Sequence, residues 1–447
     1  MVKKKQKMQR KIIIYIAILF YSSIGLNAQQ EILTLEQAID IALKNNYGIE
    51  AAKVTEEIAQ NNIYKGSVGY YPSVNVTGSY NYSNKNTDLT ILQGPGQELE
   101  IEQDGATSTN FNIGLGANYL IFDGFARRYN FEKLKLSGDQ TSIQTRQLIE
   151  NILLQIINNF FEVCRLSEQT TIEQENITNS KDKLERAQTR FDLGSGSKLE
   201  ILNLEVNINN DSLNIINNEI SLDNAKRNLN LTLGRELNTE FTAIPPTATF
   251  TEWNIEQLWT ETKKNNPAFE QNNTNLLLKD LDIKLAKAAQ YPTLSANASY
   301  SWAGNDNDAS QLLRSRNLGL NAGLSLNFNI FNGSRVKKSI ENAQLARKQV
   351  QAQQTETEQN LRLTLENAHA QYKNSLYILK VQQKNLQTVE ENYNRTEELL
   401  NYGKATMTQY REAQLNLVQS QLRINQAKYN AKRTEMELLR ISGQLIK

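Results

Sequence analysis

Pro72-Ser73-Val74-Asn75-Val76-Thr77-Gly78-Ser79-Tyr80-Asn81-Tyr82 alternates without a break, with Val74, Val76, Gly78, Tyr80 and Tyr82 on one face and Asn75, Thr77, Ser79 and Asn81 on the other. A period of two is the signature of a strand. Three further segments repeat it. Phe111, Ile113, Leu115, Ala117, Tyr119 and Ile121 oppose Asn112, Gly114, Gly116 and Asn118; Leu294, Ala296, Ala298, Tyr300 and Trp302 oppose Ser295, Asn297, Ser299 and Ser301. The fourth sets Leu318, Leu320, Ala322, Leu324, Leu326, Phe328 and Ile330 against Gly319, Asn321, Gly323, Ser325, Asn327 and Asn329. Each segment matches the roughly 9–11 residues that a tilted strand needs to cross a bilayer, with aromatics near its ends. A soluble sandwich also alternates, but its strands are usually shorter. No Lys, Arg, Asp or Glu falls within the expected strands 72–82, 109–121, 292–302 and 317–330.

Four strands cannot close a membrane barrel, since the smallest have about eight, and an open edge in lipid leaves backbone groups unpaired. Several copies must then share one barrel: eight strands for a dimer, twelve for a trimer. A channel for sizeable cargo favours the larger.

The chain also repeats itself. Leu35-Glu36-Gln37, Lys44-Asn45-Asn46 and Tyr71-Pro72 return as Ile255-Glu256-Gln257, Lys264-Asn265-Asn266 and Tyr291-Pro292, about 220 residues later. Phe122-Asp123-Gly124, Gly194 and Leu233-Gly234 return as Phe331-Asn332-Gly333, Gly403 and Ser442-Gly443, about 209 residues later. The single change of offset falls between the paired strands, where a loop absorbs it. The expected layout is a first repeat over 29–234, a linker over 235–254 containing Pro245-Pro246, and a second repeat over 255–447. Each repeat opens with a capped helix, Thr34 with Gln37 and Asn254 with Gln257, read as one helix ending at the aromatic before Pro72 or Pro292.

After the strands, 124–233 and 333–447 read as helical hairpins. No proline interrupts Gly124 to Leu193 or Gly333 to Tyr402, and a helix of that span is about 100 Å long at 1.5 Å per residue. Coiled-coil spacing runs through Ile149, Leu153, Ile156, Phe160 and Val163, through Leu361, Leu365, Ala368 and Tyr372, and through Leu199, Leu202, Val206, Leu213, Ile216 and Ile220. A solvated stalk accounts for these helices as well as a tube does; only the attached strands speak for a tube.

Residues 1–28 read as a secretory signal peptide: six basic residues precede the apolar run Ile12 to Phe20, and Ala28 suits a cleavage site. That run is short of the ~20 residues of a spanning helix. Removal of the signal takes the formal charge from +1 to about −5, and no nucleic-acid footprint is present. Cys164 and His369 are the only residues of their kinds, so neither a thiolate cluster nor a histidine triad has partners. Gly194-Ser195-Gly196-Ser197 lacks the lysine and spacing of a phosphate loop and reads as a hairpin tip. The sequence therefore points to no enzyme, metal or cofactor.

The duplicated layout resembles the TolC family of outer-membrane efflux proteins, from Thr34 to the C-terminus. The resemblance rests on the turns Ile121-Phe122-Asp123-Gly124 and Ile330-Phe331-Asn332-Gly333 and the tips Arg190-Phe191-Asp192-Leu193-Gly194 and Leu400-Asn401-Tyr402-Gly403. It implies a mainly α chain with transmembrane β: a homotrimer whose 12-stranded outer-membrane β-barrel continues into a long periplasmic α-helical barrel, with an equatorial belt. It implies an exit duct of a tripartite efflux or type I secretion system, serving an inner-membrane pump through a periplasmic adaptor. The chain ends soon after its last helix, without the tail many relatives carry. By the same resemblance, Glu200, Gln409 and Glu412 line the periplasmic gate, with Gln409 in place of an acid typical of the family. The adaptor-contacting tips are then Leu193, Gly194, Ser195 and Gly196 in the first hairpin and Tyr402, Gly403, Lys404, Ala405 and Thr406 in the second. The alternative is a structural or adhesive outer-membrane coiled coil without transport. The cargo stays open among drugs, dyes, metal ions and polypeptides.

Overall fold

The computed structural model describes residues 31–247, 249–308 and 312–445. The expected signal peptide at 1–28 lies outside them. The described elements are β1 (Glu31–Leu33), α1 (Leu35–Asn45), α2 (Tyr47–Asn61), β2 (Ser73–Gly94), β3 (Gln97–Phe122), α3 (Ala126–Asp192), α4 (Lys198–Leu233) and β4 (Phe241–Ala243) in the first repeat and linker. The second repeat gives α5 (Ile255–Asn265), α6 (Pro267–Ala288), β5 (Thr293–Asn307), β6 (Arg314–Asn327), α7 (Arg335–Asn401) and α8 (Met407–Ile441).

The helix expected at the head of each repeat is two helices. Thr34 and Gln37 form the reciprocal cap of α1, and the Asn254 side chain accepts from the Glu256 and Gln257 N–H groups at α5. At the ends of α1 and α5, Asn46 and Asn266 take extended backbone and break the rod. Pro267, without an N–H, then suits the first position of a new helix. α2 stops at Asn61, whereas α6 continues to Ala288; Gly66 and Gly69, poorer helix formers, stand where the second repeat has Ala286 and Ala289. A short 3-10 turn, Lys65–Val68, fills the gap.

Contacts divide the chain into two compact units that are not the two repeats. One comprises residues 53–145 and 267–360, the other 1–52, 146–266 and 361–447, so each draws on both repeats.

The first unit holds an antiparallel sheet in the order β2-β3-β5-β6. Register aligns like with like. Val76, Leu115, Tyr300 and Leu320 stand opposite one another across all four strands, and so do Asn75, Gly116, Ser299 and Asn321 on the other face. The apolar face is bare in the single chain: Val76, Tyr80, Leu320, Leu324 and Leu326 are all exposed. Against the expected 72–82, 109–121 and 292–302, β2 and β5 start one residue later and run well past their expected ends, and β3 exceeds its bounds on both sides; β6 starts at Arg314 rather than 317 and stops at Asn327 rather than 330. The supposed loop between Tyr82 and Phe111 is mostly strand, closed at Pro95-Gly96, where Gly96 has φ +80°. Proline followed by glycine is the type II turn pairing. The added 83–94 and 97–108 carry charge, from Lys85 to Asp104, and 22 residues in β2 span about 70 Å, over twice a hydrocarbon core. Charge there does not end the strand.

The other unit is built on the helical hairpins. Its core packs Ala38 and Ala42 of α1, Leu153, Ile156, Phe160 and Phe161 of α3, and Leu229 and Leu233 of α4 around Leu33 and Phe241. Each fully buried large side chain stabilises by about 1.5–3 kcal/mol. The linker expected over 235–254 is partly ordered into that core: β4 pairs in parallel with β1, Leu33 opposite Ala243. Its far end is tied to α7 by His369, whose Nε2 lies 2.9 Å from the Trp253 carbonyl oxygen, and by the Tyr372 hydroxyl, which donates to Thr251 O at 2.9 Å. Gly234, at φ +71°, touches the end of α1 so closely that a Cβ would meet Asn45 O at 2.2 Å. Among the described residues no helix is long and apolar enough to cross a membrane.

Candidate functional site

The two hairpin tips are built alike. α3 ends in a reversed turn in which Gly194 (φ +75°) and Ser195 donate to Phe191 O and Arg190 O, both at 2.9 Å. α7 ends the same way, with Gly403 (φ +70°) donating to Leu400 O and Lys404 to Leu399 O. These bonds satisfy the last carbonyls of each helix, and glycine supplies the left-handed residue. Gly196 is also fixed by space, since a Cβ there would lie 2.5 Å from Phe191 N. Each turn pushes one large side chain outward at the same place: Leu193 and Tyr402 are each 78% exposed. Ala405 N reaches back to Leu399 O, and Thr406 caps α8.

The three residues expected at the gate have different surroundings. Glu200 accepts a 2.5 Å bond from Arg190 across its own hairpin. Gln409 is committed to the start of α8: its side-chain oxygen accepts from Thr406 N at 2.8 Å while its own N–H donates to Thr406 Oγ1. That reciprocal cap follows the same Thr-x-x-Gln spacing as Thr34 and Gln37, a signal present in the sequence. Glu412 is exposed and shares with Glu200 a groove of about 650 Å³ between α4 and α8, also lined by Asn203, Arg411 and Asn416.

Sequence reasoning missed the contacts that join the hairpins. Arg411 of α8 holds Asp211 of α4 through two bonds of 2.7 and 2.9 Å, with both side chains nearly out of solvent. Gln414 donates to Asn176 and Ser180 of α3 at 2.8 and 3.1 Å. Lys183 of α3 pairs with Glu397 of α7 at 2.7 Å and lies over the Tyr410 ring. The Tyr410 hydroxyl meets Tyr393 at 2.9 Å, and burial pushes both phenols up. Beside the clasp, Glu173 is 8% exposed and one of its oxygens has no partner. Burial foremost, and the Asp211 carboxylate as well, push it above the usual carboxylate range, against a hydrogen bond from Gln169. Closer to the tips the packing is apolar, with Met407 of α8 against Ala187, Ile201 and Leu204 of the first hairpin.

The stripe of α4 that shows coiled-coil spacing in the sequence is not the one buried within the chain. Leu199, Leu202, Val206, Leu213, Ile216 and Ile220 are all exposed, while Ile201, Leu204, Ile215 and Leu229 are buried. The register is sound, but the helix carries two apolar stripes and only the second faces its own chain.

Among the described residues no group of three or more His, Cys, Asp or Glu is placed to hold a metal ion.

Known proteins share this architecture. The Campylobacter jejuni CmeC outer membrane channel superposes with a TM-score of 0.72 at 15% identity, covering 92% of this chain and 86% of that one. The outer membrane protein VceC of Vibrio cholerae gives 0.69 at 14%, covering 92% and 96%. At such identities the likeness is one of fold, that of largely helical outer-membrane channels. In sequence, the outer membrane efflux protein BepC of Brucella suis is 24% identical over 172 residues, 38% of this chain and 34% of BepC. Outer membrane protein TolC of Vibrio cholerae is 24% identical over 174 residues, 37% of this chain and 36% of that protein. The matched stretch thus spans about a third of the length of these relatives. The profile of the outer membrane efflux protein family matches residues 38–235 and 258–444, nearly the whole of both repeats, and the chain belongs to that family.

Proposed function

We propose that three copies of this chain form an exit duct, with twelve strands closing a barrel in the outer membrane and the paired hairpins forming a periplasmic tunnel. The repeats, 29–234 and 255–447, supply equivalent halves of each third of the wall. The observation that carries the reading is the four-stranded sheet, whose apolar face is exposed and whose two outer edges, on β2 and β6, have no strand against them among the described residues. In lipid such edges require neighbouring copies, and the polar faces then line water.

The duct conducts passively. Cargo comes from an inner-membrane pump through a periplasmic adaptor that grips the tips, with Leu193 and Tyr402 as apolar anchors and Gly194, Ser195, Gly196, Gly403, Lys404, Ala405 and Thr406 as the surrounding backbone surface. Both a tripartite efflux system and a type I secretion system fit. Glu200 and Glu412 face the narrow end and draw in cations; opening swings the second hairpin outward and parts it from the first.

Purified protein in planar bilayers tests this directly. Discrete ion conductance is expected, and replacing Glu200 and Glu412 together by Gln should weaken cation block and cation selectivity. Conductance unaltered by the double replacement would remove these residues from the gate. Absence of any conductance from folded oligomers would leave a structural or adhesive coiled coil.

A further inference from the structure

We infer that the junction between strands and helices carries a basic collar that binds anionic phospholipid headgroups in the leaflet on the helix side of the membrane. This rests on the shared-barrel reading and adds a lipid partner to it. The strands end together at that junction: Ser73 stands opposite Asn118, Phe122 opposite Leu294 and Thr293 opposite Asn327. Around this edge Tyr64, Tyr71, Phe125, Tyr291 and Phe331 are all exposed, and the Phe125 ring meets Phe122 and Tyr291 at centroid distances of 5.5 and 6.5 Å. Exposed aromatics around strand ends mark the boundary between hydrocarbon and headgroups.

Positive charge follows at once. The segments 62–72 and 122–131, with their counterparts 282–292 and 331–340, hold eight lysines and arginines against Asp123 and Asp282, a surplus of six in a chain whose net charge without its signal is about −5. Arg127 is structural, since its guanidinium donates to Gly69 O and Ile121 O and pairs with Asp123. The other seven are exposed. Among the described residues ion pairs engage two of them, Arg128 with Glu132 and Lys338 with Glu341. Lys284 lies over the Tyr129 ring. Lys65, Lys287, Arg335 and Lys337 are left for a partner outside the chain.

The placement of these cations is a separate observation. Five of the other six α-helices described carry an acid in the first turn: Glu36, Glu50, Glu200, Glu256 and Glu270. α3 and α7 carry none, and begin instead with Arg127 and Arg128 and with Arg335, Lys337 and Lys338. A cation at a helix N-terminus is repelled by the dipole, so the arrangement is favourable only with negative charge supplied from outside. In the second repeat even the local acid is gone, because Asn332 stands where the first has Asp123. An anionic bilayer surface supplies phosphate at the depth that the aromatic belt sets.

Spin-labelled lipids test this with the full chain reconstituted in phosphatidylcholine vesicles, where electron paramagnetic resonance measures the labelled lipid held at the protein surface. Labelled phosphatidylglycerol should be held over labelled phosphatidylcholine by about fivefold, the effect of one basic side chain at an anionic surface, and high salt should shrink the preference. Lys287→Gln, Arg335→Gln, Lys337→Gln and Lys338→Gln together should abolish it. Lys373→Gln with Lys380→Gln and Lys384→Gln, exposed positions about 50 Å or more further along α7, should leave it unchanged. No preference in the inserted parent, or a preference that survives the four replacements, would overturn the collar while leaving the barrel standing. Binding of the parent to isolated peptidoglycan through the same four residues, without lipid preference, would overturn it too. A chain that does not float with the vesicles would remove the barrel, and the collar with it.

Discussion

Replacing Arg411 by Ala should loosen the join between the hairpins more than any exposed ion-pair change. Asp211 has 7% of its side chain exposed and Arg411 14%, so water does little to screen or replace the pair. Without the guanidinium, Asp211 is left buried beside Glu173, which already has one unpartnered oxygen. Breaking a buried pair by removing one partner costs about 3–5 kcal/mol. Asp211→Ala should cost less, because Arg411 keeps Gln414 at 3.1 Å and has the easier route to water. Arg411→Met with Asp211→Leu should be close to neutral or stabilising, since packed apolar groups often replace a buried pair without loss. Urea unfolding followed by helical circular dichroism, run as a double-mutant cycle, reads the coupling directly. A coupling above about 2 kcal/mol is expected; a value below about 0.5 kcal/mol, within ordinary additivity, would mean that Asp211 is satisfied elsewhere and that the pair clasps nothing.

Two further outcomes follow from single side chains. Glu173 has a folded pKa above its ordinary 4.5, so its contribution to stability is fully present below that value and is lost as pH rises through the folded pKa. Glu173→Gln should therefore unfold at higher urea than the parent at pH 7, by about 1–3 kcal/mol for relief of a buried unsatisfied group, and the advantage should shrink towards pH 4; an advantage independent of pH would exclude titration of Glu173. Leu320→Arg should cost about 2–4 kcal/mol of folding into liposomes if it lies near the bilayer midplane, while Asn321→Arg on the opposite face should fold normally and alter conductance; equal tolerance of both would contradict the two-faced assignment.

The parts of the fold legible in the sequence were those fixed by a short period. Alternation from Val74 to Tyr82 identifies both the strand and its apolar face, because each residue reports independently. The hairpin tips were legible because Gly194 and Gly403 supply a conformation that few other residues adopt. The lost parts needed to know what lies opposite. Coiled-coil spacing in α4 locates the stripe of Leu202 and Ile216 without saying which chain covers it, and it is the offset stripe of Ile201 and Leu204 that packs against α3. Gln409 was read through its position after a tip, although its capping bond to Thr406 has a sequence signal of its own. The change of offset between the paired strands reads as a loop, whereas Lys85 and Asp88 pair within the sheet.

The interior of the hairpin unit changes character along its length, and that change bears on movement. Around α1, α3 contributes Leu153, Ile156, Phe160 and Phe161, all buried. Further along the same helix Glu173, Asn176, Ser180 and Lys183 join Ile177 among the buried positions, near Asp211, Arg411 and Gln414. Parting the apolar section would expose side chains worth about 1.5–3 kcal/mol each. Parting the polar section exchanges hydrogen bonds within the protein for bonds to water, at a net cost of only about 0.5–1.5 kcal/mol for each neutral one. The polar section therefore lies between the apolar core around α1 and the smaller apolar cluster of Met407, Ala187, Ile201 and Leu204 near the tips, and its neutral bonds are the ones that the proposed outward swing of the second hairpin would exchange with water at least cost. Substituting Asn176, Ser180 and Gln414 with well-packed apolar residues should then produce a stable protein that stays shut.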